Sequence, residues 1–465
     1  MNKMLKIILK GVFLIVAFNV FGEFIPFDQS IDWSSAGCPD DKIKITGSVN
    51  IKDFGAMGDG KTDDSSAFTN AIINSPLYSE ILIPEGVYLI KTPIRIFKSI
   101  ILKGEGPHKT KLVFDFKGAP SYDAITIGND FSSSFIEVIS AFTKDSKILE
   151  VKDTSLFTSG CFAEIEQDND PEKMYTQTEW NQSWAQNVVG QIFQIVSVDG
   201  NKITIDEPLH INFEKKLNPR IKILQLTKGA GIEDLSIKRI DKGDGNIITI
   251  KNSAFCRIKN IESEYVYRSH ISIERSYKCS VLNSYFHHAY DYGGGGHGYG
   301  VEIKHHSCNN LVEKNKFYHL RHSMMVHLGA NGNVFGYNES KMPFATSDHT
   351  PGTVICDISI HGHYPFMNLF EGNKVAKIEF SDWWGPCGPG NTLFKNKVTE
   401  ENIVIRDKTL NQNIIGNIME KGRIIIFPPA SKETLLIKDN IENNQGIINK
   451  NLPETLYRRG INDKK

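Results

Sequence analysis

Histidine is distributed very unevenly in this chain: 12 of its 14 copies fall between residues 270 and 363, where Arg321, Lys304, Tyr290 and Glu302 also lie. Imidazoles beside a guanidinium and an ammonium suit an anionic polymer, because Arg321 and Lys304 can offset a uronate carboxylate while a His or Tyr removes the proton on C5. The expected catalytic set is Arg321, His322, His319, His287, His288, Lys304, His327, Tyr290 and Glu302, with Arg321 and His322 the pair to test first. His297, Tyr299, His361, His363, Trp383 and Trp384 are expected to contact the polymer, the two tryptophans as a stacking platform for sugar rings. His361-x-His363 on a strand could chelate a metal, but no His-x-x-x-His pair on one helix exists and no metal ligand set is assigned.

Side chains this far apart in sequence form one wall only if the chain repeats. It does: Asn-Leu-Val-Glu-Lys-Asn at 310–315 returns as Asn-Val-Phe-Gly-Tyr-Asn at 333–338, Asn-Leu-Phe-Glu-Gly-Asn at 368–373 and Asn-Thr-Leu-Phe-Lys-Asn at 391–396. With looser copies, the second Asn falls at 260, 283, 315, 338, 373, 396, 417 and 440, in steps of 23, 32, 23, 35, 23, 21 and 23. A step near 23 is one coil of a β-solenoid. Asn suits its corners, since its amide satisfies local backbone groups, tolerates left-handed geometry and bonds to the Asn above and below.

Short alternating pieces between the corners read as half-buried strands. The two oversized coils must shed their extra residues as loops, at 289–300 and roughly 340–352, inside the histidine-rich window. Counting four residues past the corner Asn places Glu264, His287 and His319 in one row, while Lys304, His327 and, to within a residue, His361 occupy comparable positions before the first Asn of their repeats. The expected fold is all-β: a single-stranded right-handed parallel β-helix over 47–452, with a β module inserted at 145–225 around the turn Asp199-Gly200-Asn201. Trp180 and Trp184, before that hairpin, either stack on sugar or fill the module.

The ends and the composition limit the alternatives. Lys3, Lys6 and Lys10 precede an apolar run at 11–21, the layout of a secretory signal peptide over 1–22 and too short to span a bilayer. A secreted or periplasmic protein follows, with an N-terminal extension at 23–46 and a charged tail at 453–465. Removing those lysines takes the basic count from 53 to 50 against 54 acids, so no basic field exists to attract nucleic acid. Most of the seven cysteines, which include no CxxC pair, are expected as small buried residues. A solenoid stacks its own core, so a monomer is expected.

Residues 49–64, Val-Asn-Ile-Lys-Asp-Phe-Gly-Ala-Met-Gly-Asp-Gly-Lys-Thr-Asp-Asp, followed by Ala67, Phe68, Ala71, Ile72 and by Ile-Pro-Glu-Gly-Val-Tyr at 83–88, closely resemble the N-terminal signature of the pectate lyase superfamily. That group includes polygalacturonases, rhamnogalacturonases and related right-handed β-helix proteins. The residues read the same way on their own: Asp59-Gly60 turns the chain, Thr62 or Asp63 caps a helix, and Phe68, Ala71 and Ile72 form its apolar stripe. Such a helix would plug the open end of the solenoid.

The resemblance implies a polysaccharide partner and leaves the reaction open. Gly-His-Gly at 296–298 and Glu-Ile-Lys at 302–304 are similar to two polygalacturonase motifs but stand too close together, and the catalytic aspartate motifs have no counterpart nearby. Lyases of the chondroitinase B and alginate lyase type imply Lys and Arg beside a calcium-bound carboxylate; their coil positions fall here near His305 or His306 and near Gly329, so calcium is a cofactor only by resemblance. Elimination, or C5 epimerisation through the same first step, is the leading expectation. A hydrolase drawing on Asp291, Glu302, Asp348, Asp357, Glu379 and Asp382, or a non-catalytic carbohydrate-binding surface protein, are the alternatives.

Overall fold

The computed structural model describes residues 24–118, 121–129, 132–346, 354–380, 384–430 and 432–458; the expected signal peptide and Trp383 lie outside them. The chain winds as a right-handed parallel β-helix. Each full coil contributes one strand to each of three sheets, as in Leu311–Glu313, Lys316–Tyr318 and His322–Val326. The first sheet runs from Gly47–Asn50 to Leu436–Lys438, the second from Asp59–Asp63 to Ile418–Met419, and the third from Ile94–Ile96 to Ile424–Ile426.

Inward residues of all three sheets form one continuous core, with aromatic rings stacked coil on coil. Phe335 lies on Phe370 with centroids 4.8 Å apart, and Phe286 on Phe317 at 5.5 Å. Two columns of carboxamides hold the coils in step. In one, Asn310 donates to Asn333 at 2.8 Å, Asn333 to Asn368 at 2.9 Å, Asn368 to Asn391 at 2.9 Å and Asn391 to Gln412 at 3.0 Å. In the other, Asn315, Asn338, Asn373, Asn396, Asn417 and Asn440 are linked by bonds of 2.9–3.0 Å. These amides are buried except at the last rung, where unpaired polar groups would otherwise be costly.

The pairing corrects the upstream register. Leu282 pairs with Glu313 and Tyr285 with Lys316, so Ser284, not Asn283, stands at the level of Asn315. Ser284 Oγ takes over the ladder's task, accepting from Ile261 N at 3.1 Å. Asn260 and Asn283 sit one residue earlier, at φ of 51° and 50°, where the chain turns left-handed.

Helix Ser65–Asn74 buries Phe68, Ala71 and Ile72 against the first coils. Its N-cap is Asp64, one residue beyond the expected Asp63, which instead accepts from Ser65 N at 3.1 Å. A closed six-stranded barrel, from Ile136–Ser140 to Arg220–Leu224, is inserted after third-sheet strand Ile125–Gly128 and begins ahead of the expected boundary at residue 145. The segment after residue 453 is less solvated than its charge suggests: Leu456 and Tyr457 join Ile25 and Trp33 over outward Val334, Leu369, Phe394 and Ile415 of the first sheet. That face is therefore covered, leaving the second and third sheets to meet a ligand.

Candidate functional site

Outward positions of the third sheet line up from coil to coil. Ser272, Glu302, Met325, Ser359 and Glu379 occupy successive rungs of one row. Two residues further along each strand, Glu274 pairs with Lys304, and the same register carries the row to His327 and His361. Glu302 is only 6% exposed although it faces away from the core. Its carboxylate accepts from Lys304 Nζ at 2.9 Å and Ser272 Oγ at 3.1 Å, and lies 3.1 Å from His327 Nε2.

Burial favours the neutral carboxyl, but Lys304 and His327 outweigh it and hold Glu302 well below the ordinary carboxylate range. Burial likewise opposes the charge on Lys304, and Glu302 raises its pKa nonetheless. His327 is driven below the usual imidazole range by burial, against the pull of Glu302. His305, next in the chain, is pushed down to about 2 by burial and Arg275.

The barrel supplies the rest of this wall. Trp184 in its 168–188 loop meets His363 edge-on at 4.6 Å and Trp384 at 5.5 Å, while Trp384 stacks on His363 at 5.8 Å. Trp184 is 49% exposed, whereas Trp180 is buried. The barrel is clamped to the coils by His306, whose ring meets Glu164 at 2.7 Å and Asn187 O at 2.7 Å, and by a 2.7 Å bond between His210 and Asn331. Sequence reading missed the Glu164 clamp, which joins residues 142 apart; no local motif marks it.

The pair chosen for first testing is not on this wall. Tyr299 and His322 are paired and share the inward parity of Val301 and Met324. His322 Nδ1 bonds the Cys356 carbonyl at 2.7 Å, and Arg321, 7% exposed, donates to Tyr299 Oη at 2.9 Å with its guanidinium 5.5 Å from that ring. These three side chains brace the corner between the second and third sheets.

The other expected residues gather at the same corner or on the second sheet. Glu264 pairs with His287 and His287 with Tyr318, so His319 is one residue out of the expected row. The cause is the register correction at Ser284, and a slip of one residue turns a side chain away. His319 instead stacks on Phe344 at 4.9 Å. His287 bonds Glu262 at 3.2 Å and His288 at 2.8 Å, and burial lowers the pKa of His288. Tyr290 stacks on Tyr265 at 5.2 Å and donates to Arg239 O, and His297 lies 3.1 Å from Asp291.

The second sheet also bears an open groove of about 660 Å³ lined by His108, Glu262, Tyr285, Lys316, Tyr318 and Lys341. None of these was expected at a site. Among the described carboxylates, Asp357 is fully buried and raised to about 6 by desolvation, while Glu379 is paired to Arg406. Glu302 and Glu379 are three rungs apart, about 14 Å at the usual strand spacing. That exceeds the roughly 6.5–9.5 Å used by a hydrolytic carboxylate pair.

Coils bearing a polar, half-enclosed wall define the class: a right-handed parallel β-helix with outward side chains aligned from rung to rung. Residues 48–294 match the family described as Rhamnogalacturonase A/epimerase, pectate lyase-like, and the chain belongs to that family. The pre-neck appendage protein of Bacillus phage B103 is 33% identical over 107 residues, which is 23% of this chain and 12% of that protein. The tailspike gp49 of Pseudomonas phage LKA1 superposes with a TM-score of 0.61 over 81% of this chain and 64% of that one, at 14% identity. The tailspike gp61 of Pseudomonas phage phi297 gives 0.58 over 85% and 73%, at 11% identity. Those structures share the fold.

Proposed function

We propose that the protein binds an extended, uronate-containing polysaccharide across the third sheet, outside cells, and removes the C5 proton of a bound uronate. The observation that carries this reading is the Glu302, Lys304 and His327 network. Desolvated charges on the outward side of a strand are not needed to stack coils, and their burial is costly unless they serve a site. Lys304 offsets the substrate carboxylate and so acidifies C5–H. An imidazole of the same wall accepts the proton, and the enolate either expels its C4 substituent or is reprotonated on the other face. Trp184 and Trp384 offer stacking faces for neighbouring sugars.

Membership in the family supports a polysaccharide as substrate. The likeness to phage appendages and tailspikes supports a setting outside cells, and no helix of the described residues is long and apolar enough to cross a membrane. The test is a panel of pectic, alginate, glycosaminoglycan and ulvan-type polymers, read by ultraviolet absorbance, reducing ends and loss of the C5 proton to solvent deuterium. Absorbance or deuterium uptake that Lys304→Met abolishes is expected. New reducing ends without either signal would replace the reading by hydrolysis, and binding without product by a non-catalytic shaft.

A further inference from the structure

We infer that His327, His361 and His363 form a binding site for a first-row divalent transition metal, with zinc the best fit. One ring nitrogen from each of the three lies within 4.8 Å of the others. The fold produces this convergence. His327 and His361 follow the paired Val326 and Ile360 on adjacent rungs of the third sheet. His363 lies two residues beyond His361 at a φ of 66°, a left-handed turn that returns its ring to the cluster. The His327 and His361 rings are 5.7 Å apart and those of His361 and His363 are 6.4 Å apart. Nitrogens sharing one zinc stand about 3.4 Å apart when each Zn–N bond is about 2.1 Å. Small rotations of three rings close that gap.

The surroundings suit a metal. Glu302, 3.1 Å from His327 Nε2, is near enough to orient that imidazole as a ligand once the ring turns to direct its N–H at the carboxylate. Trp184 and Trp384 against His363 form an apolar shell that limits water. The other cluster of similar make-up, Glu164, Glu166 and His306, is already neutralised: Lys222 and Arg275 reach Glu164, and Arg220 reaches Glu166. A cation there would have to displace those side chains. An all-imidazole set also selects zinc, cobalt, nickel or copper over calcium, which prefers oxygen.

Three protein ligands leave one position of a tetrahedral ion for an anionic oxygen. The role of the ion, though not its presence, rests on the function proposed above: it would hold the uronate carboxylate beside Lys304, leaving proton removal to a wall imidazole outside the triad.

The test uses the metal-stripped full chain without sugar, so its outcome is independent of any activity. Zinc is titrated by calorimetry, and cobalt by its visible spectrum and by quenching of tryptophan emission, since Trp184 and Trp384 touch His363. One ion per chain is expected, with a cobalt spectrum of tetrahedral nitrogen coordination and binding weakened at least tenfold in His361→Asn and His363→Asn. The exposed His108→Asn and a calcium titration serve as controls, expected to show unchanged zinc affinity and no competition. Absence of stoichiometric binding in the unmodified chain, equal binding by both variants with native melting curves, or displacement by calcium overturns the inference.

Discussion

Nε2 of His327 stands 3.1 Å from Oε1 of Glu302 on the neighbouring coil, and Lys304 Nζ reaches the same carboxylate at 2.9 Å. Two cationic or proton-bearing groups thus depend on one anion. Glu302→Gln leaves Lys304 largely desolvated without its counter-charge, at a cost of about 3 kcal/mol. Adding Lys304→Met should restore at least half of that loss in urea melts. Additive losses would show that the two side chains act separately.

Trp184 projects from the barrel with half its surface open. Trp184→Ala should leave the melting temperature within a degree or two and weaken polymer binding roughly tenfold, the value of one aromatic contact near 1.5 kcal/mol. Affinity electrophoresis in gels containing the substrate polymer measures it. Unchanged mobility would remove the barrel loop from the binding surface.

Arg321 donates to Tyr299 Oη at the corner between the second and third sheets. Arg321→Ala is expected to cost about 2 kcal/mol of stability through the lost bond and ring contact. Polymer affinity should stay within twofold once the variant is folded. A folded variant that no longer binds would return Arg321 to the site.

Burial pushes His210 down to about 4, and pushes His270 down to about 3 with help from His287. Unfolded histidine titrates near 6.5, so between that pH and the folded values the unfolded chain binds more protons. Their stabilisation is full above about pH 6.5 and is lost as the pH falls toward 4, by roughly 3 kcal/mol for His210 alone. The urea midpoint should therefore drop steadily over that interval. His210→Asn, whose amide can still donate to Asn331, should flatten the slope, and an unchanged slope would contradict the assignment.

Asn338 sits mid-column, bonded to Asn315 above, Asn373 below and the Val312 carbonyl. Asn338→Ala strands buried partners and should cost about 3 kcal/mol. Asn440→Ala, at the partly solvated last rung, should cost about 1 kcal/mol. Denaturant melts of the two side by side check the ranking.

The repeat was legible because buried amides at coil corners admit few substitutes, so Asn315, Asn338, Asn373 and Asn396 mark themselves. Ser284 shows where that legibility ended. Its hydroxyl does the same work as an amide, while Asn283 beside it imitates the mark, and the slip carried His319 into the wrong row. The Lys304 and His327 alignment was legible because both stand six residues before the first Asn of their repeats, whereas His361 stands seven before Asn368, so the count reached it only to within a residue and strand pairing completes the row. His322 falls off the third-sheet wall because a strand's first residue points outward or inward according to a parity set by the whole coil. The barrel clamp, joining Glu164 to His306, depends on tertiary docking that no spacing records.

Both carboxamide columns are unidirectional. At every step the NH2 group of one residue donates to the oxygen of its successor toward the C-terminus, from Asn310 to Gln412 and from Asn315 to Asn440. Aligned amide dipoles polarise one another along such a chain, so the shaft carries an electrical polarity of its own, and its two extremities are chemically inequivalent. A new coil appended after Asn440 must offer a carbonyl-type oxygen at that level, whereas one grafted ahead of Asn310 must offer a donor. Lengthening or fusing this solenoid therefore obeys a grammar of direction that its outer shape does not reveal.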